Sequence, residues 1–371
     1  MPKLANIQIL RAVAALLVVV YHTGIESTTI CKNLELTCTY DMWAGGYGVG
    51  LFFIISGFIM VVTSWENFAF PAAPLDFMRR RIIRIVPLYW LVTTCAVIGV
   101  FFVPSMLNVP VLEPGYVAAS YLFWPVERIN GLVRPIANLG WTLNLEMMFY
   151  LVFALSLFLR RGLGLLLMTC FLVAFSAIQM TGVFGTSGVL SSTPLNFWGD
   201  PIILNFVVGM LSAVAYMRGF RVTGRQARLL LALSLVLAAV AYHYSGVILS
   251  HPENHLINRI ASTPAFLFLF AAAAYGPQVD ARLPVWRLGL LVGNASYSLY
   301  LVHPFFLRPL AKIWMKVVET HLPVWVFAGI CPVIAVGVGI ACYLMIEKPL
   351  LSYFSNRQPR HSPVLQSRGI A

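Results

Sequence analysis

The chain has 371 residues, 60% of them apolar and only 10% charged, with a mean hydropathy of +0.83. A soluble domain carries about 25% charged residues, so this chain cannot cover a water-facing surface, and soluble, disordered and fibrous classes are excluded. The net charge of +12 is therefore read as membrane topology rather than as a nucleic-acid footprint, and no nucleic-acid partner is expected.

Apolar runs predict spans near residues 7–25, 47–63, 87–103, 141–159, 163–180, 201–217, 228–249, 261–276, 290–311 and 324–346. Each is close to the roughly 20 residues that a bilayer requires. The expected fold is all-α: a polytopic integral membrane protein of about ten transmembrane helices, with both termini cytoplasmic. With the N-terminus inside, 18 of the 25 basic residues fall on the cytoplasmic side. The other seven are Lys32, Arg128, Arg134, Arg259, Arg308, Lys312 and Lys316. That asymmetry is the positive-inside pattern.

The transmembrane domain is expected to occupy 1–354, followed by a polar cytoplasmic tail over 355–371, with no fused soluble domain. The first apolar run is bracketed by Arg11 and His22 and lacks a clean small-x-small cleavage site, so a retained helix is expected rather than a signal peptide. Cys31 and Cys38 lie between the first two spans; a disulfide and two free thiols both remain open readings. Cys95, Cys170, Cys331 and Cys342 lie in apolar runs and are expected to be buried packing residues. No CxxC or Cys–His spacing matches a metal site, so no metal is expected. The stretch 104–140 is apolar enough to lie in the membrane interface or re-enter.

Ionisable groups within spans are costly and mark function. Arg11 and His22 are eleven residues apart, about three turns plus roughly 20°, so they share a helix stripe about 16 Å long. In the run Arg79-Arg80-Arg81-Ile82-Ile83-Arg84, Arg81 and Arg84 are i,i+3 neighbours on one face, and Pro87 suits a helix start. A guanidinium cluster of this kind is a fit for a phosphate-bearing ligand; topology anchoring against anionic lipid is the competing reading. Trp141-Thr142-Leu143-Asn144-Leu145-Glu146 opens the fourth span and puts a carboxylate inside the membrane, for which a histidine is a natural partner. Asn294 to Pro304 is unusually polar for a span. Pro304 takes away the backbone bond to Tyr300, so a kink is expected there, and Ser298, Tyr300 and His303 are candidates to line a cavity. The glycine-rich Gly45–Gly50 lacks GK[ST] and is no P-loop; its glycines suit close helix contact.

Taken in order, these pieces resemble the membrane-bound acyltransferase family 3. The likeness rests on Arg11-x10-His22, Phe52-Phe53-Ile54-Ile55-Ser56-Gly57-Phe58, Arg81-x-x-Arg84-Ile85-x-Pro87, Trp141–Glu146, Ser296-Tyr297-Ser298-Leu299-Tyr300-Leu301-x-His303 and Glu347-Lys348-Pro349. It covers nearly the whole chain, and the wording of several segments is most similar to the branch that acetylates exopolysaccharides such as succinoglycan.

The resemblance implies transfer of an acetyl or other acyl group from cytoplasmic acetyl-CoA to a hydroxyl of an exopolysaccharide or lipid-linked sugar, in a bacterial inner membrane. The expected partners are acetyl-CoA, a sugar or polysaccharide acceptor, membrane lipids and polysaccharide-assembly proteins. On this reading Arg11, Arg81 and Arg84 hold the donor's phosphates and His22 is the general base, with an acyl-histidine as the rival route. Glu146 would orient the imidazole, while Ser298, Tyr300 and His303 would line the acceptor side. Glu146-Met147-Met148 lacks the paired glutamates of many members. The alternative from a different class is a proton-coupled transporter or flippase of a glycan precursor, against which stands the absence of any visible repeat between the two halves.

Overall fold

The computed structural model describes residues 4–36, 38, 45–102, 113–128, 131–185, 188–249, 255–317 and 323–356. Among them the regular structure is helical, and the only strand-like pairing is one antiparallel bridge between Glu127 and Val133. The expected tail lies outside the described residues from 357 on, its first two positions closing the last helix, and the tip of the first loop lies outside them too.

Among the described residues seven helices are long and apolar enough to cross a membrane. They include α1 (Ala5–Asn33), α2 (Gly45–Ser64), α3 (Ala73–Phe102), α5 (Trp141–Ser156) and α6 (Arg161–Met180). A short helix, α4 (Pro114–Tyr121), lies in the 104–140 stretch, and a second, α7 (Thr193–Trp198), follows α6. Two further apolar helices are shorter, α8 (Leu204–Met217) and the Thr263–Tyr275 part of α10 (His255–Tyr275), with the spanning α9 (Gly224–Leu249) between them.

The expected ninth span, 290–311, is not one helix. It is broken into α11 (Pro284–Asn294), α12 (Ser296–Val302) and α13 (Pro304–Val317), with turns at Ala295 and His303. The second break falls at Pro304, as the missing N–H requires. The last span, α14 (Val324–Cys342), passes through a π-helical turn at Tyr343–Glu347 into α15 (Lys348–Asn356). The protein is thus a multi-pass helical membrane protein; among the described residues it has seven helices long enough to span, two shorter apolar ones and one broken segment.

Helix α1 is the hub, packing against α2, α10, α11, α12, α13 and α14. Small residues allow the closest approaches. At Gly57 in α2 and Gly209 in α8, a Cβ would stand 2.2 Å and 2.0 Å from the carbonyl oxygens of Phe206 and Ile54. Two backbones in such contact gain dispersion and have no room for a methyl group. By contrast, α6 and α9 expose Leu163, Leu166, Phe171, Leu229, Leu235 and Val236, the apolar coat that lipid chains solvate.

Two expectations need correction, and one open reading is decided. Pro87 does not start a helix; it sits inside α3, which begins at Ala73. A proline is tolerated within a membrane helix; it leaves the Ile83 carbonyl, four residues back, without its helical donor, and two residues further on the Tyr297 hydroxyl donates to the Ile85 carbonyl at 2.7 Å. Cys95 and Cys170 are exposed, whereas Cys331 is buried and Cys342 partly so; in a bilayer an outward face is as apolar as an inward one, so apolar runs cannot tell them apart. Cys31 and Cys38 form a disulfide that ties down the chain after α1. In the 104–140 stretch, α4 is pinned to α3: the Tyr89 hydroxyl and the Trp90 indole N–H donate to the carbonyls of Ser120 and Tyr121.

Candidate active site

The helices converge on a cavity of about 110 Å³ that Arg11, Arg81 and Arg84 line together. Arg11 comes from α1. Arg81 and Arg84 are one turn apart on α3, which turns both inward and leaves Arg79 and Arg80 exposed. Among the described residues none of the three guanidiniums forms a salt bridge. The Arg11 side chain donates to Gln8 Oε1 at 3.3 Å. Arg81 lies over the rings of Phe77 and Tyr150, 5.5 and 6.0 Å from their centroids, and its buried Nε has no hydrogen-bond partner within the protein. Ser296 Oγ, also at the cavity wall, is buried without a partner.

Two carboxylates set the field here. Glu146 lines the cavity and accepts from Ser56 Oγ at 2.9 Å and, through a short bond, from the hydroxyl of Tyr150, four residues along the same helix face. Glu347, from the π-helical turn, is only 3% exposed. It accepts from the backbone N–H of Ser298 at 3.2 Å and from that residue's hydroxyl, and its charge acts on Arg84 and Arg11.

Beyond the cavity lies an aromatic layer. The Tyr300 hydroxyl lines the cavity, shares a hydrogen bond with Thr142 Oγ1 at 2.9 Å and donates to the Leu139 carbonyl at 3.3 Å. Phe52 meets the Tyr300 ring edge-on at 5.9 Å. Behind Tyr300, at 6.4 Å between centroids, is the fully buried ring of His303. Its Nδ1 is 2.9 Å from the Leu299 carbonyl. A carbonyl can only accept, so Nδ1 carries a proton, and Nε2 has no partner in the protein. The ring of His22 lies 5.2 Å from that of His303, with Tyr21 at 5.3 Å on another side.

The guanidiniums of Arg308 and Arg134 are both near enough to act on His22. Arg308 is paired with Glu26, Nε to Oε1 at 3.3 Å. Arg134 precedes α5 and lies 4.3 Å above the Trp141 ring. Burial pulls its guanidinium below the ordinary value, as does Arg128, while Tyr300, Tyr21 and Asp200 act the other way.

The fold therefore brings Arg11, Arg81, Arg84, Glu146 and Tyr300 to one cavity, and leaves His22, Ser298 and His303 off its wall. Glu146 does not meet the His22 imidazole: Ser56 and Tyr150 occupy it, and His303 stands where an orienting partner was expected. Ser298 faces Glu347 instead of a cavity, and His303 is enclosed. Sequence reasoning passed over Ser56, Tyr150, Tyr297 and Glu347. Two signals were present: Glu146 and Tyr150 are i,i+4 neighbours, and Glu347 is a carboxylate directly after an apolar run.

The family profile of the acyltransferase domain matches residues 4–343. The exopolysaccharide production protein ExoZ of Rhizobium meliloti (strain 1021) is 32% identical over 310 residues, covering 83% of this chain and 90% of that protein. No solved structure matches.

Proposed function

The chain belongs to acyltransferase family 3, and on that premise we propose that it acetylates a hydroxyl of an exopolysaccharide or its lipid-linked precursor, using acetyl-CoA from the cytoplasm, in a bacterial inner membrane. The observation that carries this reading is the cavity: three guanidiniums without salt bridges around one space, joined by a single helix to an imidazole pair. Charges held in a membrane interior demand compensation, and a phosphate-bearing donor supplies it. The unpartnered Arg81 Nε and Ser296 Oγ fit such a ligand. The space admits part of coenzyme A, so its bulky nucleotide would stay at the mouth near Arg79 and Arg80 and its thin arm would enter.

In this reading the Arg11 end faces the cytoplasm and the acceptor approaches His22 from the other side. His22 takes the proton of the acceptor hydroxyl, the oxygen forms its bond to the thioester carbonyl carbon, and the carbon–sulfur bond breaks. The imidazolium then returns the proton to the departing thiolate, so His22 ends as it began. His303, with its Nδ1–H committed to Leu299, offers Nε2 to steady the His22 ring. The Tyr300–Phe52 layer must move for the thioester to arrive, and it keeps water from a loaded donor until then. Glu146, held by Ser56 and Tyr150, works at the donor cavity. The supporting relative is named for exopolysaccharide production, which favours a glycan acceptor.

The test is transfer of label from acetyl-CoA to surface glycan in membranes carrying the wild-type chain or His22→Ala at equal protein level. Loss of transfer in the variant is expected; wild-type transfer would remove His22 from the chemistry.

A further inference from the structure

Basic residues are depleted on the side of the membrane away from the cytoplasm, yet of the seven expected there, two lie near enough to His22 to act on it, Arg134 and Arg308, and two more lie near those. Lys312 acts beside Arg308 on Glu26, and Arg128 acts on Arg134. Their counter-charges are unevenly shared. Arg308 has Glu26 at 3.3 Å, whereas Arg134 forms no ion pair among the described residues and rests on the face of Trp141.

The segment carrying Arg134 is held in place. Arg128 Nε donates to the Tyr116 hydroxyl at 2.7 Å and to the Arg134 carbonyl at 3.1 Å, and its guanidinium donates again to the carbonyl of Pro135. The Tyr116 hydroxyl donates to that same Arg134 carbonyl at 2.8 Å, and the Glu127–Val133 bridge closes the base of the loop. A fixed backbone thus presents a half-buried guanidinium that forms no ion pair among the described residues, with Asp200 as its more distant counter-charge, near enough to act on the candidate general base and to feel Tyr300. Guanidiniums in that position select planar or tetrahedral oxyanions, and a ring face compensates such a charge only in part.

We propose that the acceptor carries a negative group, a carboxylate or phosphate oxyanion, which Arg134 receives beside His22. The proposal rests on the acyl-transfer reading above. Recognition of a fixed charge near the reacting hydroxyl would set which hydroxyl faces the imidazole, so Arg134 determines specificity without taking part in proton transfer.

The anion has two possible sources, a sugar carboxylate or the diphosphate of a lipid carrier, and the test separates them. The full-length chain in its membranes is given labelled acetyl-CoA and four acceptors from cells in which its gene is deleted. These are surface glycan, intact or carboxyl-reduced, and lipid-linked oligosaccharide, intact or freed of its diphosphate carrier by mild acid. The expected result is that neutralising one of the two anions raises the wild-type acceptor KM about tenfold or more. Arg134→Gln should show that loss already on the charged acceptor and be indifferent to neutralisation. Arg134→Lys should recover part of the preference, and the KM for acetyl-CoA should stay put throughout. The responding pair identifies the source. Wild-type indifference in both pairs overturns the proposal even if the variants fail to fold. So does an equal kcat loss for Arg134→Gln on charged and neutral acceptors, which would place Arg134 at the developing oxyanion or in the scaffold. Wild-type transfer that His22→Ala abolishes upholds the acyl-transfer reading whatever Arg134 does, whereas wild-type transfer to none of the four refutes that reading and this proposal together.

Discussion

The Arg11 and His22 stretches of α1 solve opposite problems. At Arg11 the helix faces a space in which three cations share a wall with Glu146, and polar atoms of Arg81 and Ser296 lack partners within the protein. At His22 it faces packed rings, with His303 fully buried and its Nδ1 already committed. The first end is charged and incompletely satisfied, as suits binding a large anion. The second is tight, as suits chemistry from which water must be excluded. The Tyr300–Phe52 layer stands between them. On the proposed reading donor capture and acyl transfer are separable properties of one helix, so substitutions at Arg11 and at His22 should fail in different ways.

The largest effect is expected at the imidazole end. His22→Ala should cut kcat by about 10²–10⁴, the usual contribution of a positioned general base, with donor affinity retained; initial rates in membranes check this, and a parallel loss of donor binding would merge the two ends. At the cavity end, Arg81→Ala or Arg84→Ala should raise the KM for acetyl-CoA about 10- to 100-fold, the worth of charge-assisted hydrogen bonds to phosphate, with the smaller change in kcat. The reverse pattern would make these arginines topology anchors.

A substitution that belongs to neither end sharpens the contrast. Gly209→Ala puts a methyl group against the Ile54 carbonyl, and overpacking of this kind costs about 1–3 kcal/mol. Thermal unfolding in detergent should occur earlier, with the KM for the donor unchanged in the folded fraction. An unaltered melting curve would mean that α2 and α8 can separate freely. The smallest effect is expected for Glu146→Gln. A glutamine still accepts from Ser56 and Tyr150, so the pH dependence of kcat should stay where the wild type has it. A displaced profile would show that Glu146 communicates with the imidazole after all.

The all-helical architecture and the shared face of Arg81 and Arg84 were legible because helical period and apolar length act locally; that Arg11, on another helix, would join them was implied only by the family resemblance. The break at Pro304 was legible because it is local as well, being a matter of one missing N–H. Pro87 misled, since a membrane helix can carry a proline in its interior, so the residue does not by itself mark a helix start. Glu146 was rightly marked as costly, but which group offsets it depends on how α2 and α5 meet. Ser56 could not be selected over a histidine by spacing alone. Nor could the pairing of Ser298 with Glu347, which requires α12 to end against the π-helical turn. The outward faces of Cys95 and Cys170 were illegible in principle, because lipid and protein interior favour the same side chains.

On the proposed reading donor binding sits at Arg11 and acyl transfer at His22, separate stretches of α1. The most direct test titrates acetyl-CoA against purified wild type, His22→Ala and Arg81→Ala, with transfer to glycan followed in parallel. The account predicts wild-type donor affinity without transfer in His22→Ala, and affinity about tenfold or more weaker in Arg81→Ala. Transfer surviving in His22→Ala, or donor binding undiminished in Arg81→Ala, would contradict it.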